Sequence, residues 1–474
     1  MRTSLFFTQL RTGLTLVLAL TITLGAASSV QAGGFYLPER GARALAMGGA
    51  QVAGADDLNA QWLNPAALIR LNNDITLYLD IGLILTSQTF LRANDPEVMR
   101  KDPGYAGGFP EVSNEGAPFI DPSLGIATNF GLDNWVFALG VYGPYAGSNE
   151  WDPDGPQRYS LHSLEAVQIF GQLSAAYRVN KRFSVGLGLQ WVVVSIKQRL
   201  SISGYPGVFG WAEQRDLDVL AEVDVSDSFT PGANVGFLIE PIDGFEIGIS
   251  GQLPVTGDAA GTLDVRIPDH YYFSDVDTRG DQIEVTIAFP AILRLGLRLF
   301  DESWSIELAS VYEIWSLKQS IDVAPGEGGL AFDNVPGIGT YNVKPFSIEQ
   351  RYQDVISVRL GGWFEPTKGI KLRAGTFFEN SALPPEALSV LKFDSNKLGF
   401  GLGATIELGA FDIDLAAAYI HFFEQRVTNS IKTQVNPMYD VGEEAFGDGE
   451  PHTVGNGTYN GSNLIFATTL HASF

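Results

Sequence analysis

Apolar and polar residues alternate with a period of two in many segments from residue 72 onward. One such segment runs from Leu398 to Leu408, where every second residue is apolar and the positions between are small or polar. Successive side chains of a β-strand point to opposite faces of the sheet, so each segment predicts a strand with one apolar and one polar face. An apolar exterior around a polar lumen is typical of a transmembrane barrel. A soluble sandwich would instead bury its apolar faces as a core.

The lengths of the connections separate these two architectures, because short turns and long polar connections alternate strictly along the chain. Short turns are predicted at 131–134, 180–181, 243–244, 301–302, 366–369 and 409–410, and long connections at about 91–118, 148–163, 200–229, 256–281, 321–350, 381–396 and 426–458. Outer-membrane barrels have this asymmetry, with long loops outside and tight turns on the periplasmic side. Six short turns and seven long loops join fourteen strands. We therefore predict an all-β fold in which residues 72–474 form a fourteen-stranded antiparallel transmembrane β-barrel.

The N-terminus predicts export from the cytoplasm. Residues 1–32 have the features of a cleaved signal peptide: Arg2 and Arg11 precede an apolar run at 14–24, and a small-x-small cleavage site ends at Ala32. The alternative is an uncleaved anchor helix, but the apolar run is shorter than the roughly 20 residues that a membrane-spanning helix needs. No later stretch approaches the length of a helical span, so the exported protein is expected either to remain in an extracytoplasmic space or to enter a membrane as a barrel.

Residues 33–71 do not follow the strand pattern. The segment is rich in small residues, Asp56 and Asp57 are candidate helix caps, and Asn64-Pro65 is typical of a helix N-cap followed by proline at the first helical position. Short helices with small side chains pack closely, so we predict a small N-terminal helical hatch that plugs the barrel. The alternative is a periplasmic extension.

Composition and charge exclude several classes of protein. The chain has 54 acidic and 30 basic residues and a formal charge of −24, so nucleic acid is not an expected partner, because phosphate recognition needs a basic surface. It has no cysteine, which excludes disulfides, thiol catalysis and zinc sites built on cysteine. No motif indicates a metal site or a cofactor, and we expect neither.

An enzyme is one alternative class, since some outer-membrane barrels are lipases. The chain has five histidines, and none of them lies in a sequence context typical of a hydrolase or a zinc protease. We expect no catalytic residues. A general porin is the other alternative, although a plugged barrel would not form an open aqueous channel.

The ordered motifs of the chain resemble the FadL family of outer-membrane transporters for long-chain fatty acids and other hydrophobic compounds. The match runs from Gly34-Phe35 through Gly48-Gly49-Ala50 and Ala55-Asp56-Asp57 to Asn64-Pro65-Ala66, and continues at 289–296 and 372–375. It covers essentially the whole exported chain. The resemblance implies a location in the bacterial outer membrane and passive uptake of long-chain fatty acids or similar hydrophobic molecules. The loops at 91–118 and 321–350 do not resemble a particular member, so the substrate stays open.

The resemblance also implies that the solute leaves sideways, through a lateral opening at a kink in the third strand. That strand is predicted at 134–147 and contains Tyr142, Gly143 and Pro144. Proline lacks the N–H for a ladder hydrogen bond and glycine permits a bend, so these residues are the candidate lateral gate. The alternative is a strand that ends at Gly143, with Pro144 starting the loop.

Two further sets of residues follow from the resemblance. The start of the exported chain, Gly33, Gly34 and Phe35, is expected to reach the lumen beside a ligand pocket, and Asn64, Pro65 and Ala66 to belong to the hatch. Lumen-facing cations are candidates to hold a carboxylate head group. Arg294 and Arg298 are candidates by their face of the strand, and Lys197 and Arg199 are candidates near the outer end of the fifth strand. The alternative for each cation is a structural ion pair, because buried charge is usually paired.

The final segment supplies a candidate insertion signal. Leu464, Phe466, Leu470 and the C-terminal Phe474 share one face. A terminal aromatic residue on the outward face resembles the signal by which outer-membrane proteins are handed to their barrel-insertion machinery. We expect that machinery, outer-membrane lipid and lipopolysaccharide to be partners.

Overall fold

The computed structural model describes residues 40–205, 209–317, 319–336, 339–434 and 452–474. The predicted signal peptide and Gly33-Gly34-Phe35 therefore lie outside the described residues. The part of the chain that is described forms a closed antiparallel barrel of fourteen strands. Closure occurs where the first strand pairs with the last, from Thr76 opposite Ser473 to Arg92 opposite Gly457. The predicted fold class is confirmed.

The barrel strands follow one another in chain order, and each pairs with its sequence neighbours. They are β1 (Thr76–Arg92), β2 (Phe119–Thr128), β3 (Trp135–Tyr142 and Ala146–Glu150), β4 (Ser163–Asn180), β5 (Phe183–Ser203), β6 (Asp218–Ile242), β7 (Phe245–Gln252 and Val255–Arg266), β8 (Gln282–Phe289 and Ala291–Asp301), β9 (Trp304–Ile314), β10 (Val355–Thr367), β11 (Ile370–Glu379), β12 (Lys397–Leu408), β13 (Phe411–Val427) and β14 (Gly457–Ser473).

The apolar face of the strands points outward, as the alternation predicts. On β12, Phe400, Leu402 and Leu408 are 53%, 66% and 57% exposed, while Gly401 and Thr405 between them are buried against the interior. An apolar exterior on strands that close on themselves is the arrangement that a lipid bilayer requires, because every backbone group is paired and no sheet edge meets hydrocarbon.

The six short turns lie where the sequence predicts them, but two of the long connections are shorter than predicted. The connections predicted at 200–229 and 256–281 are largely strand, because β5 runs to Ser203, β6 begins at Asp218 and β7 continues to Arg266. Cross-strand pairing from Ser195–Ser226 to Ser203–Asp218 holds these extensions together. Polar composition alone predicts loops in these two stretches, whereas paired strands can carry polar residues on a face that meets water.

Small elements occupy the remaining connections. They are the strands Glu111–Ser113, Asp277–Arg279, Ser320–Pro325, Ala331–Val335, Gly339–Asn342 and Phe346–Glu349 and the 3₁₀ turns Pro103–Tyr105, Arg215–Leu217, Tyr271–Phe273, Trp315–Leu317 and Pro385–Ala387.

The segment before β1 folds as short helices inside the barrel. Helix α1 (Ala42–Ala46), helix α2 (Ala60–Leu63) and a 3₁₀ helix (Pro65–Arg70) are almost entirely buried. Helix α1 lies against β12 and β13, and the 3₁₀ helix lies against β4, β5 and β6. A further helix, α3 (Pro96–Lys101), lies in the first long connection. None of the helices in the described ranges is long and apolar enough to cross a membrane.

The predicted helix caps have different outcomes: Asn64 and Asp57 lie at helix starts, whereas Asp56 does not. The Asn64 side chain accepts a hydrogen bond from Ala66 N at the start of the 3₁₀ helix, with Pro65 at its first position, which confirms the predicted cap. Asp57 accepts from Asn59 N at 2.9 Å just before α2. Asp56 does not cap a helix but pairs with Arg43 at 3.3 Å.

Candidate functional site

The wall of the barrel is interrupted in the third strand. The two segments of β3 both pair with β4, up to Tyr142–Phe170 and again from Ala146–Val167. Three residues of β3 therefore lie opposite two of β4, which is a one-residue bulge at Gly143-Pro144-Tyr145. The strand resumes after the interruption, so the alternative in which it ends at Gly143 is wrong.

The other side of the interruption faces β2. The register between β2 and β3 runs from Thr128–Phe137 only to Leu124–Val141. Beyond that pair, the described segments 119–123 and 142–146 are not in register with each other, although β2 stays paired with β1 as far as Phe119. The two chains meet again further out, where Glu115 N donates to Glu150 O at 2.7 Å. The unpaired stretch is called the wall opening below.

Close approach of two backbones accounts for the glycine at this point. A Cβ atom on Gly143 would lie 2.5 Å from Gln168 O of β4, which real Cβ atoms essentially never do. Pro144 brings no N–H and so leaves no unsatisfied donor at the bulge. The pair Gly143-Pro144 thus permits a kinked strand that most other residue pairs would prevent.

The side chains on either side of the bulge point inward. Tyr142 and Tyr145 are 7% and 1% exposed, and both belong to one large buried apolar cluster. Outside, the flanking residues of β2 and β3 are exposed and apolar; these are Ile120, Leu124, Leu139 and Val141. The opening therefore has apolar surfaces on both its lumen side and its lipid side.

The buried cluster behind the opening forms an aromatic chamber. Its rings come from the hatch and from several strands; they are Trp62, Tyr142, Tyr145, Phe170, Phe289 and Trp315. Trp62 of helix α2 lies 5.9 Å from the Tyr142 ring and 6.5 Å from the Tyr145 ring. Tyr145 in turn lies 4.7 Å from Phe289 of β8. These aromatic faces form the apolar surface behind the wall opening.

One cation lies in this chamber. The Arg294 guanidinium of β8 lies over the Trp62 ring at 4.7 Å, and the residue is 2% exposed. None of its three side-chain nitrogens has a hydrogen-bond partner among the described residues. A buried guanidinium in this condition is costly unless a charged or polar group reaches it.

The other predicted head-group candidates are placed differently. Arg298 of β8 is paired with Glu246 at 2.7 Å and also donates to Ser305 Oγ, so it is held in the wall. Lys197 and Arg199 do not face the lumen: they pair with Asp224 and Glu222 at 2.7 and 3.0 Å, and their side chains are more than half exposed. The placement of these two in the lumen is therefore wrong.

The physical reason is the alternation of faces along β5. Lys197 and Arg199 are separated from Trp191 by even numbers of residues, so they lie on its outward face. Trp191 is 57% exposed on the lipid side. Because β5 continues without a break to Ser203, its alternation persists above the apolar belt and points both cations away from the lumen.

The hatch is fastened to the wall through its backbone. Glu307 of β9 is fully buried, and its carboxylate accepts three hydrogen bonds from Val52 N, Ala53 N and Gly54 N at 2.6, 2.8 and 2.7 Å. Where the hatch touches the wall elsewhere, strand glycines make room. A Cβ on Gly361 or Gly375 would lie 2.2 or 2.1 Å from the Met47 backbone.

A polar network lies beneath the aromatic chamber. The Tyr142 hydroxyl donates to Gln172 Oε1, and Gln190 and Gln252 exchange amide hydrogen bonds at 2.9 and 2.7 Å. Gln61 of helix α2 donates to Gln172 O and Ser174 Oγ, both at 3.1 Å. The network thus joins the hatch to the strand that carries the bulge.

The remaining predicted residues are Asn64, Pro65 and Ala66 of the hatch and the C-terminal Phe474, and the structure gives the position of each. Asn64 donates to Val52 O at 3.0 Å and to Phe237 O at 3.1 Å, so Asn64, Pro65 and Ala66 hold the hatch against β6. Phe474 is 61% exposed, and its backbone pairs with Ile75 at 2.9 and 3.2 Å. Its role as an insertion signal stays a prediction.

A serine–histidine contact bears on the lipase alternative. His162 Nε2 lies 3.0 Å from Ser201 Oγ in the outer part of the molecule. Burial, reinforced by the nearby Arg158 cation, lowers the pKa of His162 to about 4, so the imidazole is neutral at physiological pH. Ser201 is only 4% exposed, and an ester substrate has no access to its hydroxyl in this conformation.

Three residues of the site are absent from the sequence-based predictions: Trp62, Glu307 and Arg40, whose guanidinium donates to the buried Asp121 carboxylate of β2. Glu307 is an acidic residue at an inward position of a strand, which is a usable signal. Its partners lie 253 to 255 residues away in the chain, so the sequence does not reveal what it binds. Trp62 precedes the Asn64-Pro65 cap by two residues and had no feature to mark it.

Comparison with known proteins agrees with this geometry. Residues 23–474 match the family model described as outer membrane protein transport protein (OMPP1/FadL/TodX). The chain is 22% identical to outer membrane protein P1 of Haemophilus influenzae over 453 residues, covering 85% of this chain and 90% of that protein. It is 22% identical to a long-chain fatty acid transport protein of Escherichia coli over 327 residues, covering 64% of this chain and 65% of that protein.

Solved structures give the same fold. A FadL homologue of Pseudomonas aeruginosa superimposes with a TM-score of 0.74 at 17% identity, covering 93% of this chain and 100% of that one. The toluene transporter TodX of Pseudomonas putida superimposes with a TM-score of 0.63 at 17% identity, covering 93% and 99%. The family match spans nearly the whole sequence. This chain therefore belongs to the OMPP1/FadL/TodX family of outer-membrane transport proteins.

Proposed function

We propose that this protein takes up long-chain fatty acids or similar hydrophobic molecules and releases them sideways into the outer membrane through the wall opening between β2 and β3. The observation that carries the proposal is the position of that opening. It lies directly beside Tyr142 and Tyr145 of the aromatic chamber, and its outer rim is formed by exposed apolar side chains such as Ile120 and Leu139.

The energetics of a hydrophobic solute favour a lateral route. Moving one CH₂ group from an apolar site into water costs about 0.8 kcal/mol. A chain of fourteen methylenes would therefore face a barrier on the order of 11 kcal/mol if it had to leave the chamber through the periplasmic end. An exit through the wall leads from an apolar chamber to an apolar bilayer and avoids this cost. The uptake is passive.

Blocking the opening tests the proposal. Replacing Gly143 by Val and Pro144 by Thr adds a Cβ where Gln168 O is 2.5 Å away, so the bulge cannot persist and a straight, paired strand becomes favoured. We expect uptake of a radiolabelled long-chain fatty acid by cells that depend on this protein to fall at least tenfold. The matched control is Gly171→Ala on β4, where the nearest atom to a new Cβ is 3.8 Å away.

Two outcomes would count against the proposal. Normal uptake by the Gly143→Val/Pro144→Thr variant, with heat-modifiable gel mobility showing a folded barrel, would exclude release through this opening. Free ion conduction by the wild-type protein in planar bilayers would instead indicate a general porin.

The start of the exported chain has a proposed part in the same cycle. We infer from the resemblance that Gly33, Gly34 and Phe35 reach the chamber and are displaced when a solute binds. Native mass spectrometry of the protein purified in mild detergent measures this directly. A co-purified fatty acid or hydrocarbon that disappears when residues 33–35 are deleted is the expected result, and an equally occupied deletion variant would contradict it.

A further inference from the structure

One polar side chain of β4 lies directly behind the wall opening. The bulge at Gly143-Pro144-Tyr145 lies opposite two residues of β4, Gln168 and Ile169. Successive residues of a strand point to opposite faces, and Ile169 points outward, where it is 43% exposed. Gln168 points inward and is 3% exposed, and its backbone N–H donates to Tyr145 O at 3.2 Å. Gln168 is therefore the β4 side chain that faces the lumen at the bulge.

The carboxamide of Gln168 has an acceptor without a donor. Its Oε1 is buried and has no hydrogen-bond partner among the described residues. The neighbours on the inward face of β4, Ala166 and Phe170, belong to the apolar cluster of the chamber, as does Val194, which lies opposite Gln168 on β5. None of these side chains can donate a hydrogen bond. A buried acceptor in this condition costs free energy, so Oε1 is suited to a donor that comes from outside the wall and the hatch.

A second glutamine on the same face of β4 shows the contrast. Gln172 Oε1 accepts from the Tyr142 hydroxyl and from Gln190 Nε2, the latter at 2.9 Å, and Gln172 Nε2 donates to Gln61 O at 2.8 Å. Protein groups thus satisfy Gln172, which belongs to the polar network beneath the chamber. Gln168 has the same side chain on the same strand but lies among apolar residues, and that network does not explain its presence.

The chemistry of the acceptor decides which head group it can take. A carboxamide oxygen is uncharged and accepts a hydrogen bond, and Pro144 in the bulge adds no N–H. A hydroxyl group can donate to such an oxygen. An ionised carboxylate offers only acceptors, and an alkane or an ether has no polar hydrogen. The position therefore favours an uncharged head group that carries an O–H.

We propose that Gln168 accepts a hydrogen bond from the hydroxyl of an aliphatic solute as its head group passes the wall opening. The inference rests on the proposed function and names a substrate class for it: long-chain alcohols, and carboxylic acids in their protonated form. A hydroxyl that enters the opening loses its hydrogen bonds to water, and Gln168 Oε1 replaces one of them. An oxygen without a hydrogen gains nothing from Gln168.

Two solutes of equal chain length test this chemistry. Hexadecan-1-ol has a hydroxyl, whereas 1-methoxyhexadecane has the oxygen but no hydrogen to donate. The experiment measures initial rates of uptake of both radiolabelled compounds by cells that depend on this protein, together with the midpoint of heat unfolding of the purified protein. The variant is Gln168→Met, which keeps the length of the side chain and removes the carboxamide.

The matched control is Gln88→Met. Gln88 lies on the inward face of β1, and its Oε1 is also buried without a partner among the described residues. It is paired with Gly461 of β14, in a part of the wall that is not interrupted. The control therefore removes an equivalent acceptor away from the bulge of β3.

We expect Gln168→Met to lower the ratio of alcohol to ether uptake roughly 3- to 10-fold, the factor that corresponds to one hydrogen bond. Uptake of the ether should stay as in the wild type. The midpoint of heat unfolding should not fall, because Oε1 has no partner in the described protein to lose. Gln88→Met should leave the ratio of the two rates unchanged.

A purely structural role for Gln168 predicts a different result. Equal losses of alcohol and ether uptake in Gln168→Met, a lower midpoint of unfolding, or failure of this variant to reach the outer membrane would each overturn the inference. An unchanged ratio in Gln168→Met, with both solutes taken up by the wild type, refutes this inference alone. A wild-type protein that takes up neither solute, nor a long-chain fatty acid, refutes the proposed function and this inference with it.

Discussion

The Glu307 carboxylate attaches three consecutive backbone N–H groups of the hatch to the wall, and its removal should unplug the barrel. Glu307 accepts hydrogen bonds from three consecutive backbone N–H groups at 2.6 to 2.8 Å. In Glu307→Ala these buried donors lose their acceptor, and each unsatisfied donor costs about 1–3 kcal/mol. The docked hatch should therefore be destabilised by roughly 3–9 kcal/mol, while the wall, which is closed by its own backbone ladder, stays folded.

The amide variant should have an intermediate effect. In Glu307→Gln the amide oxygen can still accept from Val52 N and Ala53 N, which both donate to Oε1. The amide nitrogen would then face the Gly54 N–H, so one hydrogen bond is lost and the cost is about 1–3 kcal/mol. The expected order of hatch stability is wild type, then Gln, then Ala.

Hydrogen exchange and conductance measure this order. Deuterium uptake of peptides that contain residues 52–54 should accelerate by at least 100-fold in Glu307→Ala, since about 1.4 kcal/mol corresponds to a factor of ten. Single-channel recordings should show a larger and noisier conductance. Glu407→Ala is the control, because Glu407 pairs with Lys371 of the neighbouring strand at 2.6 Å. Exchange at 52–54 within twofold of wild type in Glu307→Ala would refute the reasoning.

Three further predictions follow from the same structure. Gly361→Ala and Gly375→Ala place a Cβ about 2 Å from the Met47 backbone and should loosen the hatch in the same exchange assay, whereas Gly171→Ala should not. Arg294→Gln should weaken binding of acids and spare hydrocarbons, while Arg298→Gln, which breaks the pair with Glu246, should weaken both equally; the reverse pattern in binding assays would contradict the assignment. Burial, reinforced by the Lys432 cation, lowers the pKa of Lys392 in the loop after β11 to about 7. Between pH 7 and the ordinary lysine pKa of about 10.5, the unfolded chain therefore binds more protons than the folded loop. The stability of the loop should rise with pH across that window. NMR of methylated lysines should show one resonance that titrates near pH 7 and is absent in Lys392→Met, and titration of every lysine above pH 10 would disprove this.

The number of strands and the face on which each side chain lies were predictable, because both depend on local alternation. The outward positions of Phe400 and Leu402 follow from a period of two, which needs no knowledge of the partner strand. The same rule places Arg294 inward. It also places Lys197 outward, on the face of Trp191, because the predicted fifth strand runs to about residue 199. The two cations Lys197 and Arg199 are candidates because they lie near the outer end of the strand, and that position alone does not tell on which face they lie.

The contacts that make the site were not predictable for a different reason. Arg40 and Asp121 are separated by 81 residues, and Glu307 and Val52 by 255. A single sequence shows that an arginine and two acids exist but carries no signal that pairs them. The Gly143-Pro144 bulge was visible because both residues act on their own backbone. Its neighbours in the chamber, such as Trp62, became visible only once the hatch was placed.

The glycines that line the hatch have a consequence for biogenesis. Gly361 and Gly375 let the wall approach the Met47 backbone so closely that no side chain fits between wall and hatch. The Glu307 carboxylate also accepts hydrogen bonds from three backbone N–H groups of the hatch. A preformed, closed wall offers no path by which folded helices could slide into such a fit. The barrel closes only when β1 joins β14, and the hatch precedes β1 in the chain. Assembly is therefore constrained in order: the hatch must be enclosed as the sheet curls around it, before the first and last strands meet.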